Sequence, residues 1–187
     1  MNKQKMQIGV IGPELKNLPA DKVLSADILK TSEKMGVGIA ESGAVLITGG
    51  CSGVVESACK GAYNKGGVVV GTPGRTRGMS VPWVTVEICT PIDVGDYVFA
   101  GVLSCDAIIA IPGDAGTLAE LAIAYRNRKP LIFIKRFGGD VLKTLQFNRL
   151  EDYPYYIVNS GEEAVTLAIK LAKQAGGARN GELDQEK

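Results

Sequence analysis

The sequence predicts an α/β domain of Rossmann-like type, a doubly wound and mainly parallel sheet with helices on both faces. Three observations predict it. Short apolar runs recur along the chain, as in Ala44–Thr48, Ala107–Ile111 and Pro130–Ile134. Between them lie segments with helical apolar spacing, so strand and helix alternate. The strands are apolar throughout rather than at every second residue, as a sheet covered on both faces requires.

Taken in order, Gln7–Gly12 reads as a first strand running into a turn at Gly12-Pro13. A helix is expected from about Ala20 to Glu41, with Leu24, Ile28, Met35 and Ile39 on one stripe and Gly43 as its stop. The strand Ala44–Thr48 ends in Gly49-Gly50-Cys51-Ser52-Gly53, and a helix follows to about Lys65 with Val55, Ala58 and Ala62 inward. Gly66–Gly71 is a third strand. Thr72–Val84, which carries Arg75 and Arg77, has no regular pattern. A fourth strand is expected at Val86–Cys89 and a helix at Val94–Leu103, ahead of a central strand from Ala107. Beyond the next helix come a strand at Pro130–Ile134, a helix at Val141–Phe147 and a strand at Tyr155–Val158. The last helix, Glu162–Ala175, turns Ala164, Leu167, Ala168 and Leu171 inward. Residues 1–175 are thus read as a single domain, and Gly176–Lys187, polar and glycine-bearing, as a flexible tail.

Composition narrows the chemistry. The net charge of +1 lacks the basic excess of a protein built to grip nucleic acid. Without histidine, no Ser-His-Asp triad, imidazole base or His-ligated metal can form. The four cysteines, at 51, 59, 89 and 105, include no C-x-x-C pair and read as buried and reduced. Met1–Lys5 is polar, Ile8–Ile11 is too short for a signal sequence, and Val98–Ile111 is broken by Ser104 and Asp106. A cytoplasmic protein with no membrane partner is expected.

The chemistry concentrates in Ala107–Tyr125. An apolar strand stops at Pro112-Gly113-Asp114-Ala115-Gly116, and a helix begins at once, with Leu118, Leu121, Ala122 and Tyr125 at i, i+3, i+4 and i+7. A glycine turn feeding a helix start gathers free backbone N–H groups at the positive end of the helix dipole, a setting for an anion such as phosphate. Gly49, Gly50, Ser52 and Gly53 repeat the arrangement after the second strand. Gly9 and Gly12 do not complete G-x-G-x-x-G, which disfavours NAD. In a doubly wound sheet the turns after Ile11, Thr48 and Ile111 can line one crevice at the carboxyl ends of the strands.

The stretch Pro112-Gly113-Asp114-Ala115-Gly116-Thr117-Leu118-Ala119-Glu120 resembles the P-G-G-x-G-T-x-x-E motif of the Lonely Guy family, often labelled "lysine decarboxylase". The resemblance extends from about Gln7 to Ala175. It is nearest the DprA-related branch that includes molybdenum-cofactor carrier proteins. It implies a homodimeric Rossmann-like fold with a nucleotide phosphate on Gly113, Gly116 and Thr117 and a catalytic acid at Glu120. In active members a glutamate and an arginine cleave the N-glycosidic bond of a nucleoside 5′-monophosphate. Two positions depart from the pattern. Asp114 replaces a glycine, and the family's arginine falls at Tyr97 or Asp96, with no arginine between Arg77 and Arg126.

Each residue has a structural reading beside the functional one. Thr117-x-x-Glu120 is a literal capping box, or else a ligand pair. A carboxylate about 4 Å from a phosphate costs roughly 1 kcal/mol in water and about 4 at an effective dielectric near 20, so Asp114 is expected to point away from a bound anion. Arg75 and Arg77 are either solvated loop residues or cations that close over a ligand. Together these give a protein that binds a small phosphorylated ligand, a nucleoside monophosphate or the molybdenum cofactor, through Gly12, Gly49, Gly50, Ser52, Gly53, Arg75, Arg77, Gly113, Asp114, Gly116 and Thr117. The alternative is a phosphoribohydrolase using Glu120, with Arg75 or Arg77 in place of the family arginine. Amino-acid decarboxylation is rejected, because no lysine sits in a pyridoxal-phosphate setting.

Overall fold

The computed structural model describes residues 4–90, 96–145 and 152–185, with side chains throughout except at 96–99 and 177–185. Seven strands are present in this part of the chain. They are β1 (Gln7–Ile11), β2 (Val45–Thr48), β3 (Val68–Gly71), β4 (Val86–Glu87), β5 (Ala107–Ala110), β6 (Leu131–Ile134) and β7 (Tyr155–Val158). They form one sheet in the order β4-β3-β2-β1-β5-β6-β7, with every pairing parallel. The helices are α1 (Lys22–Glu41), α2 (Val54–Asn64), α3 (Asp96–Ser104), α4 (Ala115–Arg126), α5 (Val141–Thr144) and α6 (Gly161–Gln185).

The central strands show why their sequence is apolar without alternation. Ile109 of β5 and Ile132 of β6 face a core shared with α1, α2 and α6, whereas Ile108 and Phe133 face one shared with α3, α4 and α5. All four are fully buried, and burying a side chain of this size contributes roughly 1.5–3 kcal/mol. On the first face α1 and α2 touch backbone to backbone. A Cβ on Gly36 would lie 1.9 Å from Ala58 O, and one on Gly61 2.0 Å from Glu33 O. Only hydrogen fits at either place.

Helix starts follow local chemistry. Asp21 caps α1, its Oδ1 accepting from Val23 N at 2.8 Å and Leu24 N at 3.1 Å. Two expectations, the inward stripe of α4 and the burial of the cysteines, are corrected. The inward stripe of α4 is Thr117, Leu121 and Ala124, while Leu118 is 42 % exposed and Ala122 is exposed. Helix α6 runs on through residues 176–185. The cysteines are all free, but only Cys59 and Cys105 are buried; Cys51 is half-buried and Cys89 exposed. The expected helices Val94–Leu103 and Val141–Phe147 extend in part outside the described residues. Among the described residues no helix is long and apolar enough to cross a membrane.

Candidate functional site

The chain lays down β1 to β4 toward one edge and then returns to place β5 beside β1, so the winding reverses between these two strands. Their register sets Ile11 beside Ala110, and Ile111 N donates to Ile11 O at 3.0 Å. The loops that follow β1 and β5 therefore leave the sheet together, and β2, registered with Gly9 beside Ile47, brings Gly49 alongside. Such a reversal opens a crevice at the carboxyl ends of the strands. A cleft of about 130 Å³ lies there, lined by Gly12, Glu14, Gly49, Cys51, Val55, Asp114, Gly116, Thr117 and Glu120. The turns after Ile11, Thr48 and Ile111 do meet in one crevice.

The glycines divide into two sets. A Cβ on Gly12 would lie 2.6 Å from Val54 Cγ1, one on Gly53 2.4 Å from Pro13 O, and one on Gly113 2.7 Å from Pro13 Cγ. These three let the first loop pack against the starts of α2 and α4. Gly50, at φ 75°, lies under Ser80, and its carbonyl accepts from Val81 N at 2.9 Å, which docks the Thr72–Val84 loop. Gly49 differs. A Cβ there would meet nothing within 4 Å, so its missing side chain leaves space in the cleft. Gly116 is similarly open, with only Asp114 Oδ1 at 3.5 Å. Ser52 is turned to the first loop, its Oγ accepting from Leu15 N at 3.4 Å.

Asp114 is the N-cap of α4. Its Oδ1 accepts from Thr117 N at 2.8 Å, and its Oδ2 accepts from Glu14 N at 3.2 Å and Asn17 Nδ2 at 3.0 Å. Burial works against its charge, but the Thr117 amide and the Asn17 side chain, with the Glu14 amide, hold the carboxyl below its ordinary value. The expected capping box is thus displaced by three residues. Asp114, not Thr117, caps the helix, and it takes the amide of the residue predicted to be the cap. The carboxylate turns toward the first loop, though it still borders the cleft.

Thr117 is 2 % exposed, and its hydroxyl makes no hydrogen bond among the described residues. The Asp114 carboxylate feels that hydroxyl, but ordinary hydrogen-bond geometry is not met. The amides of Ala115 and Gly116, in the same first turn, also have no acceptor among the described residues. Glu120 sits one helical turn further on. Its walls include Ile11, Ile47, Val102 and Ile108, around a void of about 10 Å³ with room for about one water. Burial in these surroundings, and then the Asp114 charge, push the Glu120 carboxyl up to about 8. The Cys51 thiol is pushed up to about 11 by burial and by the charges of Glu120, Glu14 and Asp114. The cleft is acidic, and no lysine or arginine lines it among the described residues.

Arg75 and Arg77 are exposed and do not line the cleft. Their loop is fastened by Glu87, whose Oε2 accepts from Gly78 N at 2.6 Å and Oε1 from Ser80 N at 2.9 Å. The side chains of Asp96 and Tyr97 lie outside the described residues. A larger hollow of about 710 Å³ lies between α1 and α6. Its hydroxyls, on Ser42 and Thr166, are bonded to backbone oxygens, and its charged walls are Lys34, Glu162, Lys170 and Lys173. Sequence reasoning missed Glu14 and Cys51 as cleft residues. The signal for Glu14 was its place two residues after Gly12, in the loop that ends the first strand.

A family model described as the SLOG cluster4 family matches residues 5–165, which takes in every strand and the whole cleft. The chain belongs to the SLOG cluster4 family. An uncharacterised protein of Archaeoglobus fulgidus is 35 % identical to this SLOG protein over 130 residues, 70 % of the chain and 80 % of the relative. Among solved structures, the molybdenum cofactor binding protein of Rippkaea orientalis is 32 % identical with a TM-score of 0.75, covering 90 % of this chain and 98 % of its own. The molybdenum cofactor carrier protein of Chlamydomonas reinhardtii shares the fold at 24 % identity and a TM-score of 0.72, with 90 % and 98 % covered. DNA processing protein A of Helicobacter pylori shares it at 14 % and 0.62, with 88 % and 80 % covered. The DprA-related branch expected from the motif is the one these matches fall in.

Proposed function

We propose that this SLOG cluster4 protein binds a small phosphate-bearing ligand in the switch-point cleft, and that the ligand is the molybdenum cofactor, a phosphorylated pterin. One observation carries the reading. Among the described residues the Thr117 hydroxyl is buried without a hydrogen-bond partner, at a helix start where the Ala115 and Gly116 amides also have no acceptor, and a buried donor left unpaired costs about 1–3 kcal/mol, which a phosphate oxygen would recover. The space kept open at Gly49 suits the same use. A cleft of about 130 Å³ takes a phosphate-sized group, and the rest of a pterin or nucleotide would lie outside it. The 32 % identical Rippkaea orientalis protein supports the pterin over a plain nucleotide.

The test is to purify the protein from cells that make the cofactor, oxidise it and look for pterin fluorescence, alongside thermal shifts with a panel of nucleoside 5′-monophosphates. Copurified pterin that is lost in Thr117→Val supports the reading. Stabilisation by one monophosphate with no pterin would reassign the ligand, and no ligand of either kind would overturn it. Free base released from a monophosphate, and abolished by Glu120→Ala, would make the protein a hydrolase instead.

Association of copies belongs to the same proposal. Leu118 and Leu145, each 42 % exposed, border an apolar groove beside the cleft with Pro112, Ala115 and Val141. Light scattering on the wild type and on Leu118→Lys tests whether copies meet there.

A further inference from the structure

An acidic cleft is a poor place for a phosphate, and this one has Glu14, Asp114 and Glu120 on its walls with no cation among its described lining residues. The three carboxylates are not equivalent. Asp114 spends both oxygens on the amides of Thr117 and Glu14 and on Asn17. Glu14 is paired with Lys16, Oε2 to Nζ at 2.9 Å. Glu120 alone receives no hydrogen bond and no ion pair among the described residues, while Ile11, Ile47, Val102 and Ile108 lie beneath it and its cleft neighbours include Asp114, at the start of its own helix, and the protonated Cys51 thiol. A carboxyl so placed is more stable neutral than charged. Its proton then offers a donor to the cleft that Thr117 and Gly116 also line.

We infer that Glu120 serves this cleft as a neutral acid, donating a hydrogen bond to a phosphate oxygen, so that anion binding is conditional on its protonation. The inference rests on the phosphate reading above. No bond is made or broken: the proton stays on Glu120 and is shared with the ligand. Removing it places a third negative charge against the anion and removes a donor at once. The groups that face Glu120 are Asp114 at the start of its own helix, Glu14 with Lys16 from the first loop, Cys51 from the second and Cys105 from the end of α3. Asp114 titrates far below the range tested, and burial keeps both thiols protonated through it.

The experiment is calorimetric binding of inorganic sulfate, whose charge does not change across the range, to the full chain at pH 6.5 to 9.5. Sulfate is tested on the wild type, Glu120→Gln and Thr117→Val. Wild-type affinity is expected to hold to about pH 8 and then fall by about tenfold per pH unit. Glu120→Gln, which keeps the shape and a donor, is expected to bind with no such fall. A wild-type affinity that stays flat to pH 9.5 overturns the inference, as does a fall that persists unchanged in Glu120→Gln. Absence of sulfate binding in the wild type at pH 6.5, or equal binding in Thr117→Val, overturns the phosphate reading itself.

Discussion

Asp114 and Thr117 meet at the start of α4 in an unequal exchange. The aspartate accepts from the threonine amide at 2.8 Å, and the threonine hydroxyl, buried beside it, is bonded to nothing among the described residues. One residue secures the helix while the other lines the cleft with its hydroxyl unpaired among the described residues. Asp114→Ala is expected to cost about 1–2 kcal/mol as a lost cap, with the ties to Glu14 and Asn17 lost besides. Urea unfolding measures it. The Asp114 carboxyl sits below its ordinary value of 3.8 in the fold, so its charge stabilises above that pH, and the benefit is lost as pH falls through the lower folded value. The gap between wild type and Asp114→Asn should therefore close only in strong acid.

Glu120 has the opposite sign. Its folded carboxyl holds a proton up to about 8 against an ordinary value of 4.5. Between those values the folded chain binds more protons than the unfolded one, so stability falls as pH rises and levels off above about 8. Glu120→Gln should flatten that slope and leave the protein more stable at pH 8 by on the order of a few kcal/mol. Unfolding free energies of both proteins from pH 5 to 9 decide it.

Gly49 and Gly53 sit four residues apart and should respond in contrary ways. At Gly49 an added Cβ meets nothing, so Gly49→Ala should leave stability within about 0.5 kcal/mol and weaken ligand binding by narrowing the cleft. At Gly53, with φ 81° and Pro13 O 2.4 Å from the added atom, Gly53→Ala should cost upwards of about 1–3 kcal/mol. Thermal melts with and without ligand separate the two effects.

Thiol labelling reads the burial order directly. Cys89 is exposed and should react first at pH 8, whereas Cys51 is slowed by a thiol held up at about 11. Cys59, pushed by burial up to about 12, and Cys105, fully enclosed, should react only on unfolding. Peptide mass spectrometry of a timed alkylation gives the order, and early labelling of Cys59 or Cys105 would contradict it.

The strands were legible because apolar runs with no alternation have one use, and Ile108 and Ile109 facing two different cores show that use. The meeting of three turns was legible for the same reason, since parallel strands deliver their carboxyl ends to one edge. The roles of the glycines were not. Gly12, Gly49, Gly53 and Gly113 look alike in a string, and only their neighbours distinguish three packing contacts from one open wall. The cap of α4 was misplaced because Asp114 and Thr117 are both good capping residues, and the contest was settled by the Glu14 amide and the Asn17 side chain, about a hundred residues away in the chain.

By itself the sequence determined the alternation of strand and helix, the apolar character that buries both faces of the sheet, and the glycine-turn chemistry at Gly113–Thr117. These depend on residues close in the chain, where spacing and propensity act. The tertiary structure alone decided that β1 and β5 lie side by side, that Glu14, Cys51, Asp114 and Glu120 share one cleft, and that Glu120 is held where a neutral acid is favoured. Charge state and void space depend on distances across the sheet order, and that order is set by packing rather than by local pattern.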